Sequence, residues 1–259
     1  MRLHDLYLKF PAVFFAFAAI FGLVFGSFTC AAAWRVPRGI SITRGRSACD
    51  SCGTRLGPAD MLPVVGYLLL RGRCGYCGER IPRRYPIGEL LGGAIAALVL
   101  AFNGPRLNAL FEFAAIMGLF AAAMADMDSM EIPNPFLIFL LIPAAGLMFS
   151  TPETGYLEHV IGFFCVSVPM LAIALVIPGG FGGADIKLMA VMGFALGWKG
   201  ALLAMFVALL SAGIYSAAMM AAGRMTRKSQ FPFGPHLALG CAAALLFAEP
   251  IIAWYLGLF

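Results

Sequence analysis

Charge is scarce in this 259-residue sequence: Asp, Glu, Lys and Arg together supply 12% of it, against 61% hydrophobic residues. A soluble domain of that length exposes far more charge, so an ordinary globular protein in water is excluded. Histidine is scarcer still, and His4, His159 and His236 are scattered without ligand spacing, which leaves no histidine metal site to expect. No glycine-rich loop follows a strand-like run, so nothing in the residues suggests a nucleotide fold. No internal repeat suggests a transporter built from two related halves. The first apolar run lacks a polar cleavage region with small residues, and so reads as a retained helix, not a removed signal.

What is present is long apolar sequence, with mean hydropathy +0.90. Helices are expected at about 10–33, 87–103, 107–126, 135–150, 157–178, 185–198, 200–222 and 235–257. They are divided by turn chemistry at Asn103-Gly104-Pro105, Ile132-Pro133-Asn134-Pro135, Thr151-Pro152, Pro178-Gly179-Gly180 and Phe231-Pro232-Phe233-Gly234-Pro235. The fold class is therefore an all-α polytopic membrane protein with about eight transmembrane helices and a small zinc-ribbon-like cytoplasmic insertion. Three regions follow: 1–33 as the first span, 34–86 as the insertion, and 87–259 as a helical bundle in contact with membrane lipid. Trp34, Trp198 and Trp254 fall near span ends, as interfacial anchors do.

Net charge is +5, and ten of the eighteen basic residues, among them Arg35, Arg38, Arg44, Arg46 and Arg55, lie between Trp34 and Tyr85. Beside a membrane helix such a cluster marks the cytoplasmic side, so no nucleic-acid partner is expected. Alternation of spans then puts Arg224, Arg227 and Lys228 in the cytoplasm and the acidic loop of Glu153 and Glu158 outside.

Acids inside apolar spans cost several kcal/mol on insertion scales, so the few present are functional candidates. Asp126 and Asp128 close the third span, and Asp185 opens the sixth after Gly179-Gly-Phe-Gly-Gly-Ala184. Two carboxylates held together can share a proton, one deprotonating water while the other protonates a scissile carbonyl. Glycines before Asp185, Gly182 and Gly183 among them, would let an extended peptide approach. Asp126 and Asp128 point about 200° apart on a helix, and spacing alone does not choose which faces Asp185. Nor does spacing exclude helix-end charges without chemistry, or a proton- or ion-coupled transporter that would need its acids near the bilayer midplane.

Cys49-Asp-Ser-Cys52 and Cys74-Gly-Tyr-Cys77 form two C-x-x-C knuckles separated by 21 residues, each followed by a glycine. In a reducing compartment four thiolates at this spacing suit a structural, tetrahedral Zn²⁺ or a similar metal, with a redox dithiol or incidental cysteines as the alternatives. Cys30, Cys165 and Cys241 lie in apolar spans and read as small packing residues.

The Asp126-Met-Asp-x-x-x-Ile-Pro-Asn134 and Gly182-Gly-Ala-Asp-Ile-Lys187 stretches resemble the two signature motifs of the type IV prepilin peptidases, the GxGD-type membrane aspartyl proteases. The resemblance implies that Asp126 and Asp185 are catalytic, with Asp128, Lys187, Gly182 and Gly183 supporting them. Ala184 stands where that family has glycine. Gly26-Ser-Phe28, Trp34-Arg-Val-Pro37, the knuckles and Arg84-Tyr-Pro-Ile-Gly-Glu-Leu90 are similar to the amino-terminal part of the bifunctional members. That implies cleavage of leader peptides from prepilins or pseudopilins at the cytoplasmic face of a bacterial inner membrane. It also implies S-adenosylmethionine-dependent methylation of the new amino terminus, with Glu89 as the residue linked to it. Thr29-Cys30 replaces that family's Leu-Asn pair, and a peptidase without methyl transfer stays open.

Overall fold

The computed structural model describes residues 3–42, 47–49, 51–150, 155–177, 179–226 and 229–257. The sequence readings at Arg44, Arg46, Asp50, Thr151, Pro152, Glu153, Pro178, Arg227 and Lys228, and the side chain of His4, lie outside those residues. Among the described residues the secondary structure is helical apart from two isolated antiparallel bridges. The chain divides into two compact units, Met1–Ala109 and Leu110–Phe259.

In the first unit a short α1 (Leu3–Lys9) leads into α2 (Pro11–Arg35), whose first position holds the proline that a helix start tolerates. The insertion follows, with α3 (Val65–Leu69), and the unit closes on α4 (Arg84–Asn103). Helix α2 packs along α4. The contact is backbone to backbone: a Cβ on Gly22 would strike the Gly92 carbonyl, and one on Gly26 would strike that of Gly88. With lipid on the other faces no hydrophobic gain favours helix pairing, so close approach through small residues supplies the contact. Glu89 is buried at this crossing, with the Cα of Glu89 facing Gly26.

The second unit holds the rest of α5 (Leu107–Ser129), then α6 (Asn134–Ser150), α7 (Tyr156–Cys165), α8 (Ser167–Val176), α9 (Gly183–Ala221) and α10 (Gly234–Leu256). Although α9 is continuous by hydrogen bonding, it is two arms. Gly197 stands at φ +69 and ψ 173, a region open to glycine alone. A Cβ on Gly193 would lie 3.6 Å from that of Ala201, whereas eight residues of straight helix span about 12 Å. The chain therefore reverses at Gly197, and residues 183–196 and 198–221 run antiparallel. Gly162 of α7 lies against Gly193 and Gly197, and the fully buried His159 Nδ1–H donates to the Phe194 carbonyl at 2.8 Å. His159 is thus a buried brace for the reversal, carried on α7.

Six stretches among the described residues are long and apolar enough to cross a membrane. One of them is the two-armed α9, and the 17-residue α6 is a further apolar helix. Counting both arms and α6 gives the eight segments expected. The protein is a multi-pass, all-helical membrane protein.

Candidate active site and metal centre

One end of the second unit brings Asp126 and Asp185 together. Asp126 lies in the last turn of α5 and Asp185 in the first turn of α9; both are buried, and each carboxylate stands within electrostatic reach of the other. Asp128, two residues on, is exposed on the other side of the helix. Burial thus separates the two candidates that spacing leaves equal. Gly182 caps α9, and a Cβ there would lie 3.0 Å from Asp185 Oδ2, so a side chain would crowd the carboxylate. Gly183 has open space where its Cβ would stand. Lys187 is exposed, and its Nζ donates to Asn134 Oδ1 at 3.4 Å, tying the second motif to the Ile-Pro-Asn of the first.

A third segment closes this end, and the sequence marks it only as a break between spans. The Gly234 N–H, at the start of α10, donates to Asp126 Oδ2 at 2.7 Å. Phe233 beside it meets Phe181, four residues before Asp185, with ring centroids 5.7 Å apart. Both aspartates occupy helix termini, not the middle of a span.

In the first unit the two knuckles are copies of one turn. Cys49 N–H donates to Thr54 O and Gly53 N–H to Cys49 O; Cys74 N–H donates to Glu79 O and Gly78 N–H to Cys74 O, all at 2.8–2.9 Å. Gly53 and Gly78 adopt φ +68 and +75, the left-handed conformation the turn requires. The four Sγ atoms of Cys49, Cys52, Cys74 and Cys77 lie within 4.8 Å of one another, with Cys49 and Cys77 at 3.9 Å. A tetrahedron with 2.3 Å Zn–S bonds has edges of about 3.8 Å, so the cluster fits a four-thiolate metal site. Hydrogen bonds from Thr54 draw the Cys52 thiol down to about 6. The amides of Cys77 and Tyr76 lower Cys74. Cys77, although the Glu79 amide lowers it, is pushed up to about 12 by desolvation and its three sulfur neighbours. Four sulfurs this close cannot all carry charge without a cation between them.

Beside the knuckles is a cavity of about 580 Å³, within the range of small-molecule sites. Glu89, Asp60, Trp34, Arg35, Tyr67 and Tyr85 contribute to its wall, as do Cys49 and Cys74. Glu89 Oε2 accepts the Val64 N–H at 2.7 Å, and Val64 holds φ +61, an outlier for a β-branched residue. Sequence reasoning singled out Glu89 but not Asp60, Val64 or Tyr67, because nothing in their spacing forecasts a common cavity.

Fold and site together define a polytopic helical membrane protein with a buried aspartate pair in one unit and a four-cysteine ribbon in the other. Residues 20–102 match the bacterial peptidase A24 N-terminal domain, and residues 113–217 match the type IV leader peptidase family. A Bacillus subtilis (strain 168) protein named prepilin leader peptidase/N-methyltransferase is 35% identical over 237 residues, covering 92% of this chain and 96% of its own length. Proteins of the same name from Burkholderia pseudomallei (strain K96243) and Pseudomonas aeruginosa (strain PAO1) are 33% and 27% identical. They cover 91% and 99% of this chain, and 86% and 98% of their own lengths. The chain belongs to the type IV leader peptidase family. None of these relatives points to a transporter, and no solved structure matches the chain.

Proposed function

We propose that this protein is an aspartyl endopeptidase that removes leader peptides from type IV prepilins or type II secretion pseudopilins. The observation that carries the reading is the burial of Asp126 and Asp185, 59 residues apart in sequence, at one end of the bundle, where the charge of Asp126 acts on Asp185. In this reading one carboxylate takes a proton from water as its oxygen attacks the scissile carbonyl, and the other gives a proton to the carbonyl oxygen. The resulting tetrahedral diol collapses, and the proton returned to the leaving nitrogen completes cleavage without a covalent enzyme intermediate. Lys187 and Gly182 act around the pair, Lys187 through Asn134 and Gly182 by leaving Asp185 room, and Gly183 leaves open space beside them, whereas Asp128 faces away from the pair.

The aspartate end faces the cytoplasm of a bacterial inner membrane. Arg224, just beyond the second arm of α9, and Lys187 lie at that end, and the 34–86 insertion carries the main basic cluster, as positive-inside topology requires. Functionally the chain then reads as a first span (1–33), a metal-binding insertion (34–86) and a bundle (87–259) that carries the peptidase.

Methylation of the newly exposed amino terminus is the second activity, supported by the cavity of the first unit. S-adenosylmethionine, when bound, supplies an electrophilic methyl on a cationic sulfonium. Glu89 and Asp60 offer carboxylates to its positive charges, and Trp34, Tyr67 and Tyr85 offer faces for its adenine or sulfonium. Structural Zn²⁺ on Cys49, Cys52, Cys74 and Cys77 would hold the wall of that cavity in place.

Mass spectrometry of a co-expressed prepilin tests both activities, since its amino-terminal mass reports cleavage and methylation together. Asp185→Asn should leave the leader attached. Processing at the parent rate by purified Asp185→Asn protein would overturn the peptidase reading.

A further inference from the structure

We propose that Gly234, held by a brace running through His236 to Ser211, is a positioning residue that sets the Asp126 carboxylate for peptide cleavage. The inference rests on the peptidase reading and adds a third segment to its site. A backbone N–H can only donate, so the 2.7 Å bond from Gly234 commits Asp126 Oδ2 as an acceptor and leaves Oδ1 to meet water. Space around the bond is minimal. A Cβ at 234 would lie 2.7 Å from Asp126 Oδ2 and 3.0 Å from its Cβ and Cγ, so any other residue must push the carboxylate aside.

The amide is itself held from behind. His236, two residues on, meets Ser211 of the second α9 arm, Nδ1 to Oγ at 3.1 Å. Its ring packs against Tyr215, Phe231 and Phe233 at centroid distances of 5.5, 5.8 and 6.4 Å. Phe233 also reaches Phe181 on the glycine-rich segment before Asp185. One turn, Phe231-Pro-Phe-Gly-Pro235, therefore touches both halves of the aspartate pair: Asp126 through an amide, and the Asp185 segment through an aromatic contact. A catalytic group shifted by about 1 Å loses on the order of 10²-fold in rate, so a device that fixes the carboxylate should act on turnover and leave affinity alone.

The test measures kcat and KM for leader cleavage by the purified full-length protein in Gly234→Ala, Ser211→Ala, Ser211→Thr and Asp126→Asn forms. Methyl transfer to an already cleaved pilin peptide serves as the control for an intact first unit. Gly234→Ala should lower kcat on the order of 10²-fold with KM within about twofold and methyl transfer unchanged. Ser211→Ala should lower kcat several-fold, and Ser211→Thr, which keeps the hydroxyl, should restore it. Parent kcat in Gly234→Ala, or changes confined to KM, overturn the proposal. Should Gly234→Ala fail to accumulate, the Ser211 pair decides: equal kcat for Ala and Thr overturns it. If Asp126→Asn is inactive while Gly234→Ala is normal, only the positioning role falls; if both cleave normally, the peptidase reading falls with it.

Discussion

Glu89 and Val64 join the insertion to the helix pair of the first unit: Glu89 Oε2 accepts the Val64 amide at 2.7 Å, and Val64 pays for that bond with a left-handed φ of +61. Such strain persists only where surrounding contacts determine it. The same Glu89 borders the cavity proposed for the methyl donor. Glu89→Gln keeps an acceptor for Val64 while removing the charge. The expected outcome is at least about a tenfold loss of donor affinity, equivalent to about 1.4 kcal/mol, with leader cleavage unchanged. Equilibrium binding of labelled donor checks it, and unchanged affinity would remove Glu89 from that site.

The aspartates separate by burial. Asp126→Asn and Asp185→Asn should each lower cleavage by about 10²- to 10⁴-fold, the range general acid–base groups contribute. Asp128, exposed and turned from the pair, should tolerate Asn with an effect under about threefold, since exposed substitutions away from a site change little. Initial rates on one purified prepilin compare all three.

The cysteine cluster predicts its own stoichiometry. Purified protein should carry one tightly held metal ion per chain, and Cys74→Ser, which removes a buried donor, should abolish it. Elemental analysis by mass spectrometry reads the content. Chelation should lower the melting temperature of the first unit, because binding free energy at such a site is folding free energy.

The reversal at Gly197 is a stability prediction. At φ +69 and ψ 173, Gly197→Ala meets no close neighbour, its nearest contact being the Glu158 carbonyl at 3.8 Å, so the cost is in the backbone. A destabilisation of about 1–3 kcal/mol is expected, measured by thermal unfolding in detergent. Gly162→Ala should be harsher, since its Cβ would strike the Gly193 carbonyl.

Much of this was readable along the chain. Apolar runs of span length announce helices in lipid because no other backbone arrangement of an open chain satisfies its hydrogen bonds there. The breaks were readable as Gly and Pro clusters, and the reading of 185–198 and 200–222 as separate spans matches the two arms that meet at Gly197. Two C-x-x-C knuckles announce a metal site because their ligand spacing is local and each turn closes on itself. Asp126 and Asp128 could not be ranked by spacing, since a helix of known period has no known rotation until it packs. The pairing of α4 with α2 was likewise hidden, for their glycines specify close approach without naming the partner.

By itself, then, the sequence determined the membrane class, the approximate number of apolar segments, the candidate acids and the four thiols, because each depends on composition or on residues a few positions apart. Tertiary structure alone decided which aspartate is buried, that the Gly234 amide reaches it across 108 residues, and that Glu89 meets Val64 beside a cavity. These depend on how finished helices rotate and dock, and the packing that fixes rotation involves many distant side chains at once.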